Sequence, residues 1–186
     1  MWKRKLVMLP LALLFAASAA HAQARVGRDS ATRLTRFGRD MVYGTAEGLA
    51  FAGVDQMSHS PPQWGNGWNG YGKRAASNVG EFVIQEGVTE GLAAALDRPL
   101  DYVRCTCRGT ADRVGWAIAG GFTDVMPKTG ARMLAVPRIV GAFAGSFAQA
   151  SWRPDVGNDR SRVAIVNAVT SLGIGVGINL WHEFVH

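Results

Sequence analysis

The sequence predicts an all-α fold: a compact bundle of about five Gly/Ala-rich helices with a central, uncharged C-terminal helix. Three observations carry the prediction. Apolar residues recur at three- and four-residue spacing through several long segments. The strict alternation of an eight-stranded outer-membrane barrel is missing from runs such as 91–96 and 142–148, and tyrosines number only 3. Residues 163–181 pass without a charge between Arg162 and His182-Glu183.

The N-terminus has its own logic. Lys3, Arg4 and Lys5 precede an apolar run over 6–20, and Ala20-His21-Ala22 offers small residues around a cleavage point. This is the pattern of a secretory signal, so residues 1–22 are expected to leave and 23–186 to form one helical domain. The run is followed by no cysteine that would take a lipoprotein anchor. Export implies the periplasm, the outer membrane's surroundings or secretion. The formal charge of +6 falls when Lys3, Arg4 and Lys5 depart, which removes the argument for a nucleic-acid partner.

The first helix is expected from Asp29 or Ser30 to about Met57, with Leu34, Phe37, Met41, Gly44, Gly48 and Ala52 on one stripe. Arg28, Arg33, Arg36 and Arg39 crowd its start, a set suited to contact with membrane lipids or another anionic envelope surface. Residues 58–72 break the pattern through Pro61-Pro62 and four glycines, yet carry Trp64, Trp68 and Tyr71. Those rings are expected either to plug one end of the bundle or, with Lys73 and Arg74, to line a ligand site.

Helical spacing resumes over 73–96, with Ala76, Val79, Val83, Val88, Leu92 and Ala95 read as inward and Lys73, Arg74, Glu81, Gln85 and Glu86 as largely outward. Asp97-Arg98-Pro99 ends it, and 97–110 is a connection. A short apolar helix follows over 114–122, and 124–130 turns the chain. Residues 131–136 read as extended because a residue before proline avoids the helical region; Pro137 then opens a helix to about Ser151. Asn158 or Asp159 caps the last helix, in which Gly173, Gly175 and Gly177 each cost about 1 kcal/mol relative to alanine and so require close packing.

The chemistry-bearing motifs are few. His182-Glu183-Phe184-Val185-His186 spells H-E-x-x-H, which on a helix sets two imidazoles on one face for zinc with a glutamate base between them. Here the match falls in a terminal turn expected to fray, which makes His182 and His186 weak metal candidates. Cys105 and Cys107, one residue apart, suit a local disulfide in an oxidising compartment or half of a soft-metal site. The chain holds no phosphate-binding loop, dinucleotide fingerprint or nucleophile elbow, so no cofactor and no catalytic residue is assigned.

Trp68-Asn69-Gly70-Tyr71-Gly72-Lys73-Arg74, Tyr102-Val103-Arg104 and Asn179-Leu180-Trp181-His182-Glu183-Phe184 are short motifs spread over most of the chain. In them the sequence resembles a set of uncharacterised exported bacterial proteins with a W-x-G-Y-G-K-R-like stretch, a Tyr-x-Arg and a late Asn-x-x-x-Glu-Phe. The resemblance implies no activity. It adds Tyr102 and Arg104 to the ligand-site candidates, and it departs at Pro99-Leu100-Asp101 and at the Cys-x-Cys.

The leading functional expectation is a non-enzymatic envelope protein, structural or binding in role, with self-association favoured by its low charge and glycine-rich helices. The alternatives are a carrier of a lipid or other apolar ligand between helices, and a metal-dependent hydrolase built on the terminal histidines.

Overall fold

The computed structural model is described over residues 28–127 and 129–185. The stretch read as a secretory signal over 1–22, the side chains of residues 28–31, Arg28 among them, and His186 lie outside the described residues. Helix α1 (Arg28–Met57) stops before Pro61-Pro62, and a single 3-10 turn (Pro62–Trp64) leads into α2 (Gly67–Ala95). Helix α3 (Thr110–Phe122) runs directly into β1 (Thr123–Val125), which pairs antiparallel with β2 (Arg132–Leu134) in the register Thr123↔Leu134 and Val125↔Arg132. Helix α4 (Val136–Trp152) opens with Pro137 in its first turn, where a missing N–H costs nothing, and α5 (Arg160–Phe184) closes the described chain. Among the described residues the result is an all-α bundle of five α-helices with one short hairpin.

Its packing is serial: α1 lies on α2, α2 on α4, α4 on α5 and α5 on α3. Helix α5 therefore sits between α4 and α3. It is buried along one stripe (Ala164, Ala168, Leu172, Asn179, Glu183), whereas the uncharged sequence had implied burial on every side, and a Cβ on Gly173, Gly175 or Gly177 would meet nothing within 4 Å, so the close packing expected at those glycines is not found. Helix α2 also starts earlier than its glycines suggested, so Trp68, Gly70, Tyr71 and Gly72 are helical.

The α2–α4 contact explains an inversion. A Cβ on Gly141 would stand 2.0 Å from Thr89 Oγ1 and 2.7 Å from Gln85 O, and one on Gly145 would stand 2.8 Å from Glu81 O. The two backbones approach through these glycines, and the α2 residues facing them are polar. Arg74, Ser77 and Thr89 are buried and Ala76, Val83 and Ala95 exposed, which corrects the inward face read from the sequence at Arg74, Ala76, Val83 and Ala95, while Val79, Val88 and Leu92 are half-buried and Lys73 is exposed. Ser146 Oγ donates to Glu81 Oε1 (2.8 Å), Gln149 Nε2 to Asn78 Oδ1 (3.1 Å), Asn167 Nδ2 to Gln149 Oε1 (3.3 Å) and Ser171 Oγ to Gln85 Oε1 (3.0 Å). Hydrogen bonds between the helices satisfy these polar groups. The apolar core beside them is small, with Ala142, Ala168 and Leu172 backed by Ile139 and Phe143.

Candidate functional site

Most of the residues singled out in the sequence fall into two clusters, one near the start of α2 and one beyond its end. From Arg74 to Ala95 alone that helix runs roughly 30 Å at 1.5 Å per residue, so the two are separate.

The first cluster centres on Arg74, which is 0 % exposed. Its Nε donates to Ser60 O (2.7 Å), Nη1 to Gln56 Oε1 (2.7 Å) and Gly65 O (2.9 Å), and Nη2 to Pro61 O (2.9 Å). A guanidinium is planar with five donors, so one side chain can hold a folded loop from inside. Gly70 is required one turn earlier, since a Cβ there would stand 2.3 Å from Gly65 O and 2.7 Å from Arg74 Nη1. Arg153, at the end of α4, adds a second clasp. It pairs with Asp155 (3.0 Å) and Asp55 (3.8 Å), donates to Ser60 Oγ (3.2 Å) and lies over the Trp64 ring (5.9 Å). The Arg153 guanidinium holds the Asp155 carboxyl below its usual range, against the opposing effect of burial.

The aromatics do not plug the bundle together. Trp64 is half-buried, while Trp68 is 89 % exposed and meets Tyr71 edge to face at 6.3 Å. Tyr71 donates its hydroxyl to Leu49 O (3.1 Å), tying α2 to α1, and Lys73 is exposed.

The second cluster closes the end of α5 around Glu183, whose side chain is fully buried. The carboxylate pairs with Arg113 (3.0 Å) and accepts from Tyr102 Oη (2.8 Å) and the Cys105 amide (3.2 Å). Arg104 donates to His182 O and Arg113 to Glu183 O, so two cations cap the terminal carbonyls where the helix dipole favours positive charge. Burial, then the hydrogen bond to Glu183, push the Tyr102 hydroxyl above its ordinary range. Asn179 Nδ2 donates to Ala117 O (3.3 Å), and a Cβ on Gly120 would stand 2.7 Å from the Tyr102 ring. Tyr102, Arg104, Asn179 and Glu183 are thus anchoring points of the architecture.

This geometry removes the base from the H-E-x-x-H pattern. His182 is exposed, whereas Glu183 is buried and committed to Arg113 and Tyr102. Among the described residues no three His, Cys, Asp or Glu side chains are grouped to hold a metal ion. Cys105 and Cys107 form a disulfide with a Cα–Cα distance of 5.1 Å.

Between the clusters runs a groove of about 740 Å³ lined by α1, α2, α4, α5 and the connection after α2, with Arg36, Arg39, Glu47, Glu86, Arg138 and Ser171 among its walls. Sequence reasoning missed it because its lining is gathered from four separate helices and a connection. Burial, then Asp40 and Glu90, push the Glu86 carboxyl up to about 7. Of the arginines proposed for an anionic surface, Arg36 is turned to Asp101 (2.7 Å) and Arg33 toward Arg98 O (3.4 Å), while Arg39 stays largely exposed beside Asp40 (3.2 Å).

No known protein family, curated protein or solved structure matches this chain.

Proposed function

We propose that the chain is a non-enzymatic structural or binding protein of the cell envelope, held at a membrane through the outer face of α5. The observation that carries this reading is the exposure of that face. An 18-residue window of α5 has a mean hydropathy of 1.8, long and apolar enough to cross a membrane, yet only 22 % of it is buried within the bundle. Ile165, Val166, Val169 and Trp181 all stand outward. At about 25 cal/mol per Å², leaving such side chains in water is costly, and exposed apolar side chains grouped on one helix favour a contact with lipid or protein. Cations flank it, Arg160 and Arg162 at one end and Arg104 and Arg113 at the other, with Trp181 beside the second pair, as head groups at an interface favour. The N-terminal signal pattern supports delivery to the envelope.

Carbonate extraction of membranes from cells expressing the full chain tests the reading, with Val169→Asp alongside. Val169 is 58 % exposed, so the substitution leaves the internal contacts in place. The parent is expected in the pellet and the variant largely in the supernatant with an unchanged helical spectrum. Parent protein released by carbonate refutes membrane seating.

The groove favours a second reading, a carrier. Its lining of carboxylates and guanidiniums beside Phe51, Phe82 and Ile178 suits an amphiphile with a charged head better than a plain hydrocarbon. Mass spectrometry of an organic extract of the purified protein tests this, and an extract with no amphiphile at near-stoichiometric amount argues against it.

A further inference from the structure

We propose that the Cys105–Cys107 disulfide is a thiol–disulfide exchange site for dithiols and disulfides of exported proteins. The pair joins residues separated by two positions, inside the connection between α2 and α3, and so staples no distant elements. Its surroundings are those of a reactive sulfur. Both cysteines are half-buried, with exposed Arg104, Thr106 and Arg108 around them, so an incoming thiol can reach the bond. Arg108 follows Cys107 directly in the chain and is exposed, whereas the Arg104 guanidinium is turned to His182 O, so Arg108 is the neighbouring cation that favours the thiolate.

The backbone sets a direction. The Cys107 amide donates to Cys105 Sγ at 3.2 Å, a bond that stabilises negative charge on that sulfur. Cys105 is therefore the better leaving group, and Cys107 the sulfur that is attacked. The nearby anion, Glu183, is neutralised by Arg113 at 3.0 Å and takes the Cys105 amide, which fixes the backbone on that side.

The exchange balances without a further reagent. A client thiolate attacks Cys107 Sγ; a bond forms between the client sulfur and Cys107, the Cys105–Cys107 bond breaks, and Cys105 leaves as a thiolate. A second thiolate of the same client attacks its own first sulfur, closing the client disulfide and releasing Cys107 as a thiolate. The client dithiol has lost two electrons and two protons, and the cysteine pair has gained them, with protonation from solvent. A client disulfide drives the reverse.

The test uses the full mature chain with reduced glutathione at pH 7, quenched with acid and read by peptide mass spectrometry. The expected result is disulfide opening at least about tenfold faster than exchange of glutathione with its own disulfide. The trapped mixed disulfide should lie on Cys107, and Arg108→Gln should slow opening several-fold. Arg108 lies in the connection, outside the α5 cap, and circular dichroism confirms that the variant folds. Opening no faster than glutathione's own exchange, glutathione found mainly on Cys105, or no effect of Arg108→Gln in a folded variant would each overturn the proposal. The measurement does not depend on membrane seating, so its failure and that of the envelope reading are separate results.

Discussion

Arg74→Met removes the most heavily hydrogen-bonded buried cation while keeping a long side chain. Arg74 gives four hydrogen bonds of 2.7–2.9 Å to Ser60 O, Gln56 Oε1, Gly65 O and Pro61 O from a position with no exposure. Each bond to a charged donor contributes about 1.5–3 kcal/mol, and the desolvation of the guanidinium offsets several kcal/mol of the sum. Breaking the set also strands acceptors beneath the 3-10 turn, so the expected net loss is about 3–5 kcal/mol, a large share of a typical domain's stability. At about 2–4 °C per kcal/mol for a chain of this size, the midpoint should fall by roughly 10 °C. Arg74→Lys should recover only part of this, because an ammonium has three donors and no fork. Urea unfolding followed at 222 nm gives the magnitude, and limited proteolysis should show new cleavage within residues 58–67. A loss under about 1 kcal/mol for Arg74→Met, with no new cleavage, would refute the role assigned to this residue.

Two further outcomes follow from the same geometry. Gly141→Ala drives a methyl against Thr89 and Gln85 and should cost about 2–3 kcal/mol, whereas Gly173→Ala, whose Cβ meets nothing within 4 Å, should be neutral or gain up to about 1 kcal/mol in detergent; equal effects in urea titration would contradict the α2–α4 contact. Glu86 binds a proton in the folded state up to about 7, against an ordinary value of 4.5, so folding stability falls as pH rises through that window; Glu86→Gln should abolish this loss, matching the parent at pH 4 and exceeding it at pH 8 by roughly 3 kcal/mol, and a difference independent of pH would count against it.

The helix boundaries were legible where a residue type fixes the backbone. Pro99 and Pro137 mark the end of α2's extension and the start of α4, and the extended stretch before Pro137 became β2. The start of α2 was not, because Gly67, Gly70 and Gly72 read as a loop while Arg74's bonds back to 60–65 hold them in a helix. Periodicity told which α2 residues share a face, but not which face turns inward. That choice was made by Gly141 and Gly145, which bring α4 close enough for Glu81 to meet Ser146, while Gln85 accepts from Ser171 on α5. The Glu183 cluster was visible only as short motifs. Its pairing with Tyr102, Cys105 and Arg113 spans 70 or more positions, a distance over which local pattern carries no information.

The buried apolar side chains are nearly all alanine, joined by Val156 and Leu172, and the helix interfaces close through amides, hydroxyls and carboxylates. Unfolding such an interior hydrates comparatively little hydrocarbon and much polar surface, and the two contribute to the heat capacity with opposite signs. The stability of this bundle should therefore follow a broad, shallow curve with temperature, weakening slowly on cooling as well as on warming, as suits a protein whose apolar surface faces outward.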